Sequence, residues 1–148
     1  MLSEWWQGCD WLLMRSTIPS QRILVVDDEP IVRDAIRILL TFDGHRVETV
    51  DGGEAALERL AQRQFDLVFT DLTMPGMSGE KLAVEIKAKL PLQVVVMVTA
   101  YGEVMDRSQK DQLSVDFVLT KPFDIRTLRE LLLRATTKTT KLRRSLDF

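Results

Sequence analysis

The segment FDLVFTDLTMPGMSGE, residues 65–80, joins a strand signal to a turn signal and places a carboxylate between them. Leu67, Val68 and Phe69 form an apolar run typical of a strand that is covered on both faces. The run stops at Asp71, and the loop that follows contains proline and glycine, which favour a close turn. A buried strand that ends on an acid indicates a functional carboxylate held on rigid backbone at the edge of a sheet.

The same strand signal recurs along the chain and alternates with helical spacing. Strands are predicted at 22–28, 46–50, 65–71, 93–100 and 116–121. Helices are predicted at 30–42, 53–62, 79–90, about 103–113, and 124 to about 138. This alternation predicts an α/β fold: a doubly wound, five-stranded parallel sheet of the flavodoxin-like (βα)5 type, with strand order 2-1-3-4-5.

Composition excludes several classes of protein. The 148 residues, 45% of them hydrophobic, suit one globular domain. The 20 basic and 22 acidic residues are mixed along the chain, so no basic field for direct nucleic-acid binding is expected. One cysteine, Cys9, and one histidine, His45, exclude an internal disulfide and a histidine-cluster metal site. No transmembrane segment or signal peptide is recognised, which predicts a cytoplasmic protein.

Two terminal segments lie outside the alternation. The predicted division is an N-terminal extension at 1–21, a domain at 22–137 and a C-terminal tail at 138–148. The extension fits a short amphipathic helix whose apolar face carries Leu2, Trp5, Trp6, Cys9, Leu12 and Leu13. Packing against protein is the favoured interpretation, on its own domain, on a partner or on a second copy in a homodimer. Membrane contact is disfavoured because the polar face is acidic.

Three carboxylates are expected to meet at one edge of the sheet. Asp27 and Asp28 end the first strand, and Asp71 ends the third. In the order 2-1-3-4-5 these strands are neighbours beside the switch point. Ionised carboxylates this close repel one another, so the cluster needs shifted protonation or a bound cation. Oxygen ligands with room for water suit Mg²⁺ better than zinc.

The ends of the other two strands add complementary chemistry. Thr99 and Ala100 end the fourth strand, and Lys121 ends the fifth. A hydroxyl and an ammonium group then face the acidic cluster. Together these groups predict a phosphoryl-transfer site in which Asp71 is the nucleophile, Lys121 and the metal offset charge, and Thr99 supplies a hydrogen bond.

Four motifs, each at a strand end and in this order, resemble the receiver domain of two-component response regulators over about residues 22–137. They are VVDDEP at 25–30, TDLTMPGMSG at 70–79, VTAYG at 98–102 and TKPF at 120–123. The resemblance implies that Asp71 takes a phosphoryl group from a sensor histidine kinase or a histidine phosphotransfer protein. The chain would catalyse its own phosphoryl transfer and dephosphorylation as a switch, rather than act as an enzyme on free substrates.

The resemblance also assigns roles to individual groups. It implies that Asp28, Asp71 and the backbone carbonyl of Thr73 ligate Mg²⁺ directly, and that Asp27 reaches the ion largely through water. Thr99 matches the switch hydroxyl of the family, and Lys121 matches its lysine at the phosphorylation site.

The chain departs from the family pattern at the aromatic residue that usually responds to phosphorylation. Receiver domains usually carry an aromatic residue three positions before the lysine, where this chain has Val118. Phe117 cannot replace it without a register shift, because neighbouring strand residues point to opposite faces. We expect Tyr101 or a rearranged fourth helix to carry the signal instead. Tyr101 and Thr73 are also expected to control water access to the acyl phosphate, with Tyr101 shielding it.

Rival functions account less well for the residues. Dehalogenase-type phosphatases place a second acid two residues after the nucleophile, where this chain has Thr73, and DDEP would repel the phosphate of a flavin. A non-phosphorylated, receiver-like scaffold is expected to lack an essential group, and none is missing.

His45 is interpreted as a loop residue, not a phosphohistidine. The output partner stays open, as does the choice between a stand-alone protein and the receiver fragment of a longer regulator.

Overall fold

The computed structural model describes residues 18–100 and 105–146, and they form an α/β fold around one parallel sheet. The strands are β1 (Arg22–Val26), β2 (Arg46–Val50), β3 (Leu67–Asp71), β4 (Val94–Thr99) and β5 (Phe117–Thr120). Every neighbouring pair is parallel, in the order β2-β1-β3-β4-β5. The predicted fold class and strand order are confirmed.

Five helices connect and follow the strands in the described residues. They are α1 (Pro30–Phe42), α2 (Gly53–Gln62), α3 (Gly79–Lys89), α4 (Arg107–Gln112) and α5 (Ile125–Ser145). Three begin at a side-chain cap: Ser78, Asp106 and Asp124 each accept a hydrogen bond from a backbone N–H in the first turn. These caps fix where the chain turns from a strand end into the next helix.

Apolar side chains fill both faces of the sheet. In β1, Ile23 and Val25 face the cluster that includes α1 and α5, whereas Leu24 and Val26 face the cluster that includes α2 and α3. All four are at most 1% exposed. Burial of one such side chain contributes about 1.5–3 kcal/mol, so the central strands hold their carboxyl ends in fixed positions.

The last helix is longer than the sequence indicates. The prediction that it ends near Lys138 and gives way to a tail is wrong, because α5 continues to Ser145. Two ion pairs hold this end of the helix on the domain: Lys138, at the predicted end, lies 2.6 Å from Asp116, and Arg143, in the added turns, lies 2.6 Å from Asp66. The remaining division into a domain and terminal segments stays a prediction.

Some sequence predictions concern residues that the structure does not describe. The amphipathic N-terminal segment falls mostly within residues 1–17, and Tyr101 falls within 101–104; both ranges lie outside the described residues. Within 18–100 and 105–146, no helix combines the length and the apolar character needed to cross a membrane.

Candidate functional site

Three carboxylates converge at the carboxyl edge of the sheet. Asp27 directly follows β1 and Asp71 ends β3, and these strands are hydrogen-bonded neighbours. Carboxylate oxygens of Asp27, Asp28 and Asp71 lie within 4.8 Å of one another. The strand order therefore brings together the acids as the sequence predicts, although 43 positions separate Asp28 from Asp71 (71 − 28).

Asp27 is buried, and its two carboxylate oxygens differ in their partners. Oδ1 accepts a hydrogen bond of 2.9 Å from the backbone N–H of Glu29. Oδ2 is also buried and accepts no hydrogen bond from the described residues, while the ammonium of Lys121 lies 3.5 Å away. A buried carboxylate oxygen without a donor is costly, so a cation next to Oδ2 would stabilise it.

Lys121 forms ion pairs with two of the three acids. Its Nζ lies 3.4 Å from Asp71 Oδ1 and 3.5 Å from Asp27 Oδ2. The backbone N–H of Lys121 donates a 2.8 Å hydrogen bond to the carbonyl of Thr99, which ties the end of β5 to β4. The ammonium group is thus held between two carboxylates by the sheet.

The pKa of the Asp71 carboxyl group lies above its ordinary value. Burial is the largest cause, and the neighbouring negative charge of Asp27 adds to it, whereas the ammonium of Lys121 opposes both. The site therefore favours positive charge beside Asp71. A further cation would lower this pKa and keep Asp71 ionised, as a nucleophile must be.

Glycine permits the tight loop that follows Asp71. The N–H of Gly79 donates a 2.9 Å hydrogen bond to the carbonyl of Leu72, which brings the start of α3 against the end of β3. A Cβ atom on Gly79 would lie 1.9 Å from the carbonyl oxygen of Asp71. Gly76 adopts a φ of 77°, in the left-handed region. The sequence indicates this loop, but nothing in it shows that Gly79 is the close contact.

An open cavity of about 560 Å³ lies over the acids. Its lining residues are Asp28, Glu29, Asp71, Thr73, Met74, Pro75, Thr99, Ala100 and Lys121. The cavity thus gathers Thr73 and Ala100 with the charged groups, as the sequence predicts. Glu29 and Met74 were missed, although each is adjacent to a residue singled out from the sequence.

Phe117 and Val118 on β5 point to opposite faces of the sheet, as the alternation of side chains along a strand predicts. Phe117 packs against the cluster that contains α5, and the guanidinium carbon of Arg134 lies 5.2 Å from its ring centroid. Val118 is the next residue along β5 and pairs with Met97, so its side chain points to the other face. Phe117 therefore does not occupy the position of the usual aromatic.

The donor set fits a hard divalent cation. Three carboxylates within 4.8 Å supply oxygen ligands, and the buried Asp27 Oδ2 accepts no hydrogen bond from any described residue. The open cavity leaves room for water ligands, which Mg²⁺ usually retains.

Comparison with known proteins identifies the family. The family model of the response regulator receiver domain matches residues 23–133. The chain belongs to this family. The resemblance stated from the four motifs is confirmed, and this receiver domain carries its acidic cluster at the strand ends that those motifs mark.

Curated relatives of this receiver domain include two bacterial regulators. The response regulator protein FleR of Pseudomonas aeruginosa is 40% identical over 115 residues, which are 76% of this chain and 24% of FleR. The transcriptional regulatory protein ResD of Bacillus subtilis is 33% identical over 113 residues, 76% of this chain and 45% of ResD. The chain thus spans less than half the length of either relative.

Solved structures show the same fold. The receiver domain protein of Clostridium thermocellum aligns with a TM-score of 0.74 and 28% identity, covering 82% of this chain and 98% of that one. The response regulator TrrA of Thermotoga maritima, solved in complex with Mg²⁺ and BeF, aligns with a TM-score of 0.71 and 35% identity over 78% of this chain and 98% of its own.

Proposed function

We propose that this receiver domain takes a phosphoryl group onto Asp71 from the phosphohistidine of a sensor histidine kinase or a histidine phosphotransfer protein in the cytoplasm. The observation that carries the proposal is the position of Lys121 Nζ, within 3.5 Å of both Asp71 and Asp27, in a residue that lines an open cavity. Membership of the receiver family supports a phosphoacceptor role for the domain. The phosphorylated form would then change its affinity for an output partner.

The transfer would be an in-line displacement at phosphorus. A carboxylate oxygen of Asp71 forms the new P–O bond while the P–N bond to the donor imidazole breaks and its electron pair stays on nitrogen. The donor leaves as neutral histidine because its other ring nitrogen carries a proton, and Asp71 becomes an acyl phosphate. The ammonium of Lys121, 3.4 Å from Asp71 Oδ1, offsets charge on the phosphoryl oxygens. Thr99 lines the same cavity, and its hydroxyl would donate a hydrogen bond to one of those oxygens.

Mg²⁺ is the cofactor that the donor set favours. Asp28, Asp71 and the backbone carbonyl of Thr73 would hold the ion directly, with Asp27 acting largely through water. When bound, the ion supplies positive charge to the transferring phosphoryl group. The Mg²⁺ and BeF complex of TrrA supports this assignment.

Residues beside the cavity are expected to control how water reaches the acyl phosphate and how phosphorylation is signalled to a partner. Thr73 and Ala100 are exposed there, so their small side chains leave the acyl phosphate open to solvent. The shielding and signalling roles of Tyr101 stay predictions, as does the loss of the aromatic readout at Val118.

The outer face of α1 is the proposed docking surface for the phosphodonor. Ile31, Ile38 and Phe42 are 84%, 58% and 50% exposed. At about 100° per residue they fall within about 40° of one another on the helix. Since α1 begins two residues after Asp28, this apolar stripe leads from the site across the surface, where it fits the apolar face of a donor helix.

Intact mass measurement tests the acceptor assignment. The protein is incubated with Mg²⁺ and acetyl phosphate, and we expect one added phosphoryl group on the wild type and none on Asp71→Asn. Asp51→Asn is the matched control, since Asp51 is an exposed acid that follows β2 at the same sheet edge. Chelation of Mg²⁺ should abolish labelling. A labelled Asp71→Asn or an unlabelled wild type would contradict the proposal.

A further inference from the structure

An apolar groove lies at the amino edge of the sheet, opposite the acidic cluster. It has a volume of about 340 Å³, and its walls are the last turns of α5 and the segments that precede β3 and β4. Leu90 and Leu92 are each 40% exposed, and Leu146 is 65% exposed. The apolar lining residues are Leu60, Phe65, Leu90, Leu92, Leu142 and Leu146. Such a concentration of exposed leucine favours an interaction site.

The N-terminal end of the described chain lies near this groove. A neighbouring depression, lined in part by Ser20, Gln21 and Arg22, shares Asp66 and Arg143 with the groove. Upstream, Ile18 packs against the same core cluster as Leu142, which lines the groove. The chain that precedes Ile18 is therefore attached to the domain close to the groove.

The sequence of residues 1–17 matches the apolar character of the groove. These residues lie outside the described part of the chain, but their helical spacing predicts one apolar face that carries Trp5 and Trp6. As a helix, 17 residues would be about 25 Å long. Tryptophan supplies a large apolar surface for such a contact.

Charge also favours this occupant. The groove and the adjoining depression are lined by one acid, Asp66, and by five cationic side chains, Arg22, Arg46, Arg63, Lys89 and Arg143. Glu4 and Asp10 are on the polar face of the predicted helix, beside its apolar face. Arg15 adds one positive charge to the segment, and Arg63 and Arg143 of the rim already pair with Glu48 and Asp66. The two acids of the segment would therefore face Arg22, Arg46 and Lys89.

We propose that residues 1–17 dock on this groove of their own domain, with the tryptophan-bearing face against Leu90, Leu92 and Leu146. The tether to Ile18 makes the contact intramolecular, which raises the effective concentration of the segment to about the millimolar range. The docked segment covers the end of α5 and leaves the acidic cavity at the opposite edge open. The contact does not depend on phosphorylation of Asp71.

Tryptophan fluorescence of the 148-residue protein tests the contact, because all three tryptophans lie in this segment. We expect blue-shifted emission that is protected from iodide. Leu92→Glu and Leu146→Glu, at exposed groove positions, should shift the emission towards that of protein unfolded in urea and increase iodide quenching. Leu133→Glu is the matched control: Leu133 is 47% exposed on α5 and does not line the groove.

Four results would overturn the proposal. If the tryptophan emission of both groove variants equals that of the wild type, the groove is not occupied. Emission that depends on protein concentration would assign the contact to a second copy, and a blue shift seen only with anionic vesicles would assign it to a membrane. A red shift in Ile38→Glu but in neither groove variant would place the segment on α1 instead.

Discussion

At the residue scale, the site depends on one ammonium group between two acids. Replacement of Lys121 by Gln removes the cation that lies 3.4 Å from Asp71 and 3.5 Å from Asp27. Loss of one charge-stabilising donor typically lowers a reaction rate by about 10²–10³-fold. We expect a decrease of that order in the rate of labelling by acetyl phosphate, measured by intact mass over time.

Lys121→Arg provides the comparison for this prediction. It keeps the positive charge but changes its shape, so labelling should fall less than in Lys121→Gln. Equal rates for wild type and Lys121→Gln would show that the ammonium group takes no part in transfer.

Gly79 is the second residue whose identity the site requires. Ala at this position would place a Cβ 1.9 Å from the carbonyl oxygen of Asp71, so the backbone of β3 or α3 must move. Such overpacking costs about 1–3 kcal/mol, and we expect Gly79→Ala to unfold at lower urea concentration and to label more slowly.

A second glycine gives the control for Gly79. A Cβ on Gly52 would meet nothing within 4 Å, so Gly52→Ala should leave both measurements close to wild type. If Gly79→Ala behaved like Gly52→Ala, the close contact with Asp71 would have no energetic consequence.

At the element scale, a buried ion pair fastens α5 to the turn after α1. Arg129 Nε and Nη2 donate hydrogen bonds of 2.7 and 2.8 Å to the carboxylate of Asp43, and both side chains are at most 8% exposed. Removal of one partner from a buried pair typically costs about 3–5 kcal/mol, because the other charge stays buried. We expect a loss of this size in the free energy of unfolding of Arg129→Met in urea.

The pair between Arg37 and Asp34 is the surface counterpart. It spans 3.6 Å with side chains 44% and 56% exposed, so Arg37→Met should cost less than about 1 kcal/mol. Similar losses for Arg37→Met and Arg129→Met would contradict the structural role of the buried pair.

The apolar stripe on α1 makes a prediction about the phosphodonor. Ile31 is 84% exposed and lies in the first turn of α1, so Ile31→Ser should leave the fold unchanged but weaken docking. We expect slower labelling from a phosphorylated histidine kinase and an unchanged rate from acetyl phosphate, which needs no docking surface.

Val84→Ser on α3 serves as the control for the stripe. Val84 is 50% exposed on a different helix and should affect neither donor. Equal loss with both donors would place the defect of Ile31→Ser at the site itself, and no loss would remove α1 as the docking face.

At the scale of the whole molecule, stability should depend on the protonation of His45. This side chain is buried, and its Nδ1 accepts a 3.0 Å hydrogen bond from the backbone N–H of Gln21. Burial lowers the pKa of His45 below 6.5, and the nearby negative charge of Asp43 opposes the shift. As the pH falls through about 6.5, His45 of the unfolded chain takes up a proton more readily than His45 of the folded chain. Acid therefore favours unfolding.

Urea unfolding at about pH 7.5 and about pH 5.5 measures this dependence, and we expect lower stability at the acidic pH. His45→Gln keeps a hydrogen-bond acceptor but cannot titrate, so its stability should change less between the two values. An equal change in both proteins would assign the acid sensitivity to other groups.

The convergence at the site could be predicted from the sequence because strand ends in a parallel sheet share one edge. Asp27, Asp71 and Lys121 each follow an apolar run, so the strand order alone brings them together. The pair between Arg129 and Asp43 has no local signal, since its partners are 86 positions apart. The end of α5 was misjudged for a similar reason: its last turns are polar, and long-range ion pairs fasten them.

The central claim is that folding brings these distant groups together to make Asp71 the phosphoryl acceptor. Borohydride reduction of the acyl phosphate, followed by peptide mapping, measures which side chain carries the group after incubation with Mg²⁺ and acetyl phosphate. We predict modification at Asp71 alone. Modification at Asp27 or Asp28 in its place, or none in a protein shown to be folded, would contradict the account.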